Sequence, residues 1–527
     1  MDNIIYVKNT ESNATVLVRD ALKKVKKGVN NIIRFEKSVY HFYAEGCYTD
    51  VFYPSNNISG EKNVIFPILG ISDLIIDGNG SEFLFCDVVY PFIIQNCRNV
   101  TLQNFSVDFS FIKYSQGKII SSDEQGFELM LDKSVCEYEI KNNSICFKTG
   151  NQEISSARKR LFLRDLDTAS VQAAFLYIGE CTEYLDYLPV PAIFTDVKDK
   201  GDGVVYFQFK EGTAGKLYPA GDCLYIGFSD RLNGVFFSEW SENVKFANIT
   251  VYSGTGMGFL TQVCKNVEFD GIRIYPKEER TAIYTLTADA FHSVNCSGQY
   301  IIKNSCVKNT ADDAVNVHGV YAAVDEMISD HKIRIKFMHN EQRGLMPYYE
   351  GDIIHISDSR TMKETETAVI RYVEYDQNRN NIVLTLDKEK ISNIKNGDII
   401  ENPHRMPEVY FENNQVIGSP SMRFSSSKKT VIKNNKLLLQ RTDIEIIDLL
   451  AFWYESGTVK DVLICNNVFD NAVSLNNIQI KSDRIKGAEH FHKNITIRDN
   501  IFKRPIKEAI AASDCENIII ENNSVLM

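Results

Sequence analysis

A short alternating apolar run, closed by Asn or Asn-Asn and followed by a second apolar pair, recurs along the chain and limits what it can fold into. It reads NVTLQNFSV up to Val107, NVKFANITV up to Val251 and YIIKNSCV up to Val307. It then returns as VYFENNQV, VIKNNKL, VLICNNVF, ITIRDNIF and IIIENNSV. The turn positions are Asn104, Asn248, Gly271, Asn304, Asn413, Asn434, Asn466, Asp499 and Asn522. Adjacent turns lie 21 or 23 residues apart, or 32 to 33 where a loop is longer. Period-2 apolarity inside a unit of that length is one coil of a parallel β-solenoid. A short strand cannot bury its apolar face alone, but coils stacked about 4.8 Å apart build a continuous core. Asn suits the bend because it tolerates left-handed backbone angles. A leucine-rich repeat would need a Leu-xx-Leu-x-Leu consensus that is absent. An antiparallel sandwich would need hairpin dipeptides between the runs. The expected fold is all-β, a right-handed parallel β-helix.

An end of such a helix must be covered. TVLVRDALKKVKK, residues 15–27, sets Val18, Leu22 and Val25 on one helical face before Gly28, which predicts a capping helix. IIRFEKSVYHF is then expected as the first coil. Two stretches break the period and carry alternating strands with Gly-Asp turns, among them AGDCLYIGF, EGDIIHIS and NGDIIEN. They are expected to be small β-barrel-like insertions. The organisation expected is a cap with first coils at 1–110, an insertion at 111–235, central coils at 236–319, a second insertion at 320–405 and C-terminal coils at 406–527.

With 527 residues the chain can grow lengthwise as one body. Its net charge of -11 argues against nucleic acid or an anionic membrane as partner and leaves a neutral sugar unopposed. The 12 cysteines contain no CxxC pair, and several fall within strand patterns, so buried free thiols are expected. No run of roughly 18 apolar residues is present to span a bilayer. The opening residues lack the basic-then-apolar pattern of a secretory signal. The sequence as it stands is expected in the cytoplasm, or secreted or periplasmic if a leader has been removed.

The chemistry concentrates in TADAFHSVNCS, residues 287–297, and TADDAVNVHG, residues 310–319. The two Thr-Ala-Asp triplets lie 23 apart, one coil period, so Asp289 and Asp312 are expected to stack, with Asp313 beside them and His292, Asn316 and His318 close by. Stacked carboxylates repel and burial adds to the cost, so at least one should hold its proton. Glycoside hydrolysis asks for such an asymmetric set: one acid to protonate the leaving oxygen, one carboxylate to activate water or attack. A turn-capping aspartate ladder explains neither the two histidines nor the His-Gly pair, and a calcium site would not need the histidines. No metal or cofactor is expected. Farther on, Trp453 or Tyr454 is suited to stack on a sugar ring, and Arg423 and Glu455 to hold hydroxyls.

GTGMGFLTQ, TADAFH, ADDAVNVHG and WYESG with its following NNVF coil resemble, in order and spacing, the α-1,3-galactosidases of glycoside hydrolase family 110. The resemblance is good over about residues 230–525 and looser before them. It implies a β-helix with barrel insertions and removal of terminal galactose from galactose-terminated oligosaccharides by a metal-independent inverting mechanism. It implies Asp312 as general acid, Asp289 and Asp313 as bases, and Arg423, Trp453 and Glu455 as galactose contacts. His292, Asn316 and His318 join them as candidate substrate contacts. From spacing alone Asp289 and Asp312 can exchange duties, and a homodimer stays open. Two rivals remain. A polygalacturonase-like enzyme also sets one Asp a coil before an Asp pair, but it would carry Gly-His-Gly a further coil on. A carbohydrate-binding β-helix would use the acids only to cap turns.

Overall fold

The computed structural model of the chain describes residues 2–141, 144–149, 152–155, 159–164, 176–178, 194–209, 220–221, 223–228, 233–376, 379, 381–387, 394–439, 441–448, 453–470, 476–482 and 492–526. Two long sheets, of 20 and 12 strands, form its body, and almost every pairing in them is parallel. Each turn of chain gives a strand to one sheet and then to the other, so the body is a parallel β-helix.

All nine turn positions singled out by the repeat have positive φ, from 52° at Asn522 to 69° at Gly271. That left-handed conformation is the one Asn, Asp and Gly accept most cheaply. Neighbouring turns are also joined through their side chains: Asn248 Nδ2 donates to Asn104 Oδ1 at 3.3 Å and Asn434 Nδ2 to Asn413 Oδ1 at 3.2 Å. The second Asn of each Asn-Asn pair makes an inner ladder. Asn435, Asn467 and Asn500 are at most 1% exposed, and each donates from Nδ2 to the Oδ1 of the next ladder Asn at 2.9 to 3.1 Å. The backbone N–H of each donates to that same Oδ1 at 2.9 to 3.0 Å. This ladder pins one coil to the next.

Inside, like residues stack. Phe66, Phe92, Phe236 and Phe259 follow one another with centroids 4.3 to 4.6 Å apart, and Phe291 continues the row at 5.4 Å. The N-terminal end carries a helix at Thr15–Leu22, shorter than the 13 residues the pattern suggested. Val25 still packs on the core although it lies past the helix. The solenoid also begins earlier than the repeat implied, because Asn3–Val7 already pairs in parallel with Asn31–Phe35.

Both departures from the period leave the solenoid ladder unbroken. Arg98–Phe109 pairs directly with Glu242–Val251, Val100 opposite Val244, across the first. Ser297–Lys303 pairs with Glu408–Glu412, Tyr300 opposite Val409, across the second. Between Ala322 and Glu401 six strands close into a barrel with its own core of Ile333, Ile335, Ile354, Ile356, Ile382 and Leu384. Between Tyr114 and Phe228 the described strands form a seven-stranded antiparallel sheet and a three-stranded one. Ten cysteines, from Cys47 to Cys515, are free thiols among the described residues. Among those residues no helix is long and apolar enough to cross a membrane.

The inner ladder predicts a cost for breaking it. Asn467 makes four side-chain hydrogen bonds, two received from Asn435 and two given to Ile432 O and Asn500 Oδ1. Asn467→Ala leaves buried donors and an acceptor unpaired and should lower unfolding stability by on the order of 3 kcal/mol. Urea unfolding measures it, and an unchanged midpoint would mean the ladder is not a fastening.

Candidate active site

In the 12-stranded sheet one outward row runs Ile93, Phe237, Leu260, His292, Asn316, Arg423, Glu445, Gln479. Its first three members are buried in an apolar cluster with Phe52, Val64 and Leu345, from the Tyr48–Leu69 hairpin and the chain around the barrel. At His292 the row turns polar. The strand register thereby gathers residues from four successive coils onto one face.

The aspartates sit where chain enters these strands. Strand pairing sets Phe291 opposite Val315, and a separate bridge sets Leu286 opposite Thr310. Both give an offset of 24 residues, one more than the spacing of the Thr-Ala-Asp triplets. Asp289 therefore stacks on Asp313, not on Asp312 as the triplets suggested; Ala290 N donates to Asp313 O at 3.0 Å across this step. Asp289 and Asp313 are 3% and 4% exposed, whereas Asp312 is half-buried. Asp312 Oδ1 accepts from the Asp313 N–H at 3.1 Å, and its carbonyl accepts from Thr310 Oγ1 at 2.7 Å.

Burial pushes the Asp313 carboxyl well above the usual range. Arg423 opposes the shift, while Asp312, Asp289 and Glu445 reinforce it. Ser421 Oγ donates to Asp313 Oδ1. Arg423 Nε lies 3.2 Å from Asp313 Oδ2 and 2.9 Å from Glu445 Oε2, and Arg441 holds Glu445 Oε1 at 2.8 Å. Burial works against the charge of Glu445, but Arg441 and Arg423 outweigh it and hold its carboxyl below the usual range.

The histidines lie behind the aspartates. His292 is 1% exposed and His318 0%. His292 Nδ1 lies 2.6 Å from Asp289 Oδ2, its Nε2 3.1 Å from His318 Nε2, and His318 Nδ1 2.7 Å from Gly319 O. Glu455 Oε1 stands 3.5 Å from His318 Nε2 and accepts from Asn316 Nδ2 at 3.4 Å and Asn56 Nδ2 at 3.3 Å. Burial opposes the charge on Glu455, yet His318, Arg423 and His292 hold its carboxyl below the ordinary range.

Trp453 is half-buried, its ring 4.6 Å from that of His339 and its carbonyl accepting from Gln342 Nε2 at 2.7 Å. Glu455–Ser456 then runs antiparallel to Gly319–Val320. A Cβ at Gly319 would press on Met406 Cε and Ser456 Oγ, and one at Gly457 would overlap the backbone carbonyl of Ser425. These glycines let the segment lie flat on the coil.

All nine sequence-named residues thus lie along one side of the helix. Arg423, Asp313, Asp312 and Asp289 form one linked group, and His292, His318, Asn316 and Glu455 a second, joined through the Asp289–His292 bond. Trp453 stands at the edge. Arg441 and four other participants went unforeseen. Glu445 lies one coil beyond Arg423, and the repeat period from Arg423 would have found it. Ser421 is two residues from Arg423. Asn56 and Gln342 come from the hairpin loop and the barrel's flank, and no spacing in the sequence ties them to Glu455.

A family model for GLAA-B β-barrel domain II matches residues 332–400, within the closed barrel. Alpha-1,3-galactosidase B of Bacteroides thetaiotaomicron is 26% identical, with 97% of this chain and 88% of that protein aligned. Alpha-1,3-galactosidase A of Shewanella woodyi is 27% identical over 98% and 84%. Alpha-1,3-galactosidase B of Phocaeicola vulgatus is 27% identical over 100% and 89%. Among solved structures, one described as a glycoside hydrolase aligns over 99% of this chain and 96% of its own at 8% identity and a TM-score of 0.37, too distant to bear on the site.

The raised Asp313 carboxyl has a measurable consequence. In Asp313→Asn the amide oxygen can accept from Arg423 and its NH2 can donate to Ser421, so packing is kept. A carboxyl raised in the folded state contributes stability that is present at low pH and lost as pH climbs through its folded value. The variant has nothing to ionise and escapes that loss. Its Tm relative to the unsubstituted protein should therefore rise from about pH 5 to about pH 8. A flat or falling Tm difference contradicts the shift. With one fold, one barrel match and similarity along nearly the whole chain, the protein is a glycoside hydrolase homologous to the α-1,3-galactosidases A and B.

Proposed function

We propose that the protein is an exo-acting, inverting glycosidase that releases terminal α-1,3-linked galactose. In this reading Asp312 is the general acid, and Asp289 and Asp313 together activate water. The observation that carries it is the stacking of Asp289 on Asp313 with Asp312 one residue along, at the point where the outward row changes from apolar to charged.

The three carboxyls differ in ways the reaction can use. Asp312 is the most accessible, as a donor to a leaving oxygen must be. Asp313 has raised proton affinity, which makes its ionised form a better base toward water than an ordinary carboxylate. Asp289 shares its Oδ2 with His292. In each turnover Asp312 gives its proton to the leaving oxygen and the stacked pair takes one proton from the attacking water, whose other O–H stays on the released sugar, so the two transfers are separated in space.

A hydroxyl-rich ligand also suits what surrounds the acids. Asn56 Oδ1, Asn316 Oδ1 and Gln342 Oε1 are buried acceptors without a hydrogen-bond partner among the described residues, and they lie around the Glu455 segment. Buried acceptors call for donors, and sugar hydroxyls supply them. Galactose as the sugar rests on the relatives, which are α-1,3-galactosidases A and B.

The test is incubation with Gal-α-1,3-Gal followed by anomer-resolved NMR. β-Galactose should appear first, and initial α-galactose would overturn inversion. Asp312→Asn should lower kcat by about 10²- to 10⁴-fold and still bind the disaccharide. Undiminished release by that variant would remove Asp312 from the acid role.

A further inference from the structure

Asp289, His292 and His318 form an unbroken buried line, and its hydrogen bonds fix where the protons are. The Gly319 carbonyl can only accept, so His318 Nδ1, 2.7 Å away, carries a proton. Burial pushes His318 down to about 4, leaving it neutral above that pH with a bare lone pair on Nε2. Its Nε2 is 3.1 Å from His292 Nε2, and a bond between two ring nitrogens needs one proton between them. That proton belongs to His292. One further proton lies between His292 Nδ1 and Asp289 Oδ2, 2.6 Å apart. On Nδ1 it makes His292 an imidazolium and Asp289 a carboxylate; on Oδ2 both groups are neutral. The two forms differ by one proton crossing one hydrogen bond, and their net charge is the same.

We propose that His292 and His318 are positioning residues that keep Asp289 ionised: His318 fixes His292 in its Nε2–H form, and His292 Nδ1 takes the carboxyl proton of Asp289. The inference rests on the reading of Asp289 as part of the water-activating pair. Such a group, 3% exposed and stacked on a second carboxyl, would otherwise hold its proton too tightly to act as a base. The surroundings favour the charged form. The preceding coil offers only Leu260 opposite His292. Asp312, Asp313 and Asn316 face the line from the following coil, Arg423 from the coil after that, and Glu455 from the segment crossing His318. Arg423 is itself set against Asp313 and Glu445, and Glu455, whose carboxyl His292 helps to hold below the ordinary range, favours the imidazolium in return.

Because His292 and His318 are at most 1% exposed, the role is internal rather than a grip on substrate. The test uses the full chain with 15N-labelled histidine. At about pH 7, His318 should show the neutral Nδ1–H form, and His292 a protonated Nε2 with Nδ1 shifted toward the protonated range. A bare Nε2 on His292 overturns the proposal.

Variants supply the second arm. His318→Gln can still donate to Gly319 O and accept from His292, so its pH–rate profile should stay close to that of the unsubstituted protein. His318→Leu and His292→Gln should move the acidic limb of kcat/KM upward by about one pH unit, with kcat about 10-fold lower at pH values on that limb and KM within about twofold. A folded His318→Leu with ordinary Tm and an unmoved acidic limb overturns the proposal. If no α-galactoside is hydrolysed at all, the substrate reading fails, and the nitrogen shifts still decide the relay.

Discussion

The strand register between coils is the constraint on which everything else in this molecule depends. Parallel pairing alone would permit a slip, but the inner asparagine ladder does not. Asn435, Asn467, Asn500 and Asn523 each satisfy backbone and side-chain groups of a neighbour, so a coil displaced by one residue would strand several buried polar groups at once. The outer left-handed turns, also side-chain linked, set where each coil bends. With register held on one sheet, the opposite sheet inherits it. That sheet is where His292, Asn316, Arg423 and Glu445 fall into one row.

Much of this was legible because left-handed turns are chemically conspicuous. Asn104, Asn248, Asn304 and Asn413 are the residues the backbone most readily accepts at positive φ, and the repeat located every one of them. The first strand, Asn3–Val7, escaped because it has no Asn-ended run to mark it. The aspartates show a subtler limit. A repeated tripeptide looks like a register mark, yet Thr287 and Thr310 are not equivalent; pairing sets Leu286 opposite Thr310. The extra residue in this coil moves Asp313 into the place that the triplets assigned to Asp312. The cluster was visible in the sequence, but its internal stacking was not, since one residue of loop length is below what a repeat count resolves. Asn56 was out of reach altogether, being 399 residues from the Glu455 it bonds.

The electrostatics follow from the same geometry. Arg423 stands one coil beyond Asn316 and one before Glu445, so it meets Asp313 on one side and Glu445 on the other. Arg441 then shares Glu445, which lets that acid stay ionised while Asp313 has no cation to itself. Asp289 has a different partner, His292, because the turn that carries Asp289 leads straight into the strand that presents the ring. Two stacked carboxyls of the same residue type are thereby given unlike neighbours, a guanidinium shared with a competing acid for one and an imidazole for the other. Unlike proton affinities are the expected result.

The insertions act on this site through contact rather than by supplying acids. Gln342, beside the barrel, holds the carbonyl of Trp453, and the Glu341 carbonyl accepts from the Asn56 N–H at 3.0 Å. Asn56 in turn reaches Glu455 from the N-terminal hairpin loop. The segment carrying Trp453 and Glu455 is therefore clasped from two sides by chain that lies far from it in sequence, and the glycines at 319 and 457 leave it room against the coil. Loss of either clasp would first be felt at Glu455, which stands against His318 and so against the line that ends on Asp289. Barrel flank, hairpin and solenoid meet along the Trp453–Glu455 segment, which gives a physical reason for the candidate row on a rigid β-helix to be assembled together with the domains inserted into its loops.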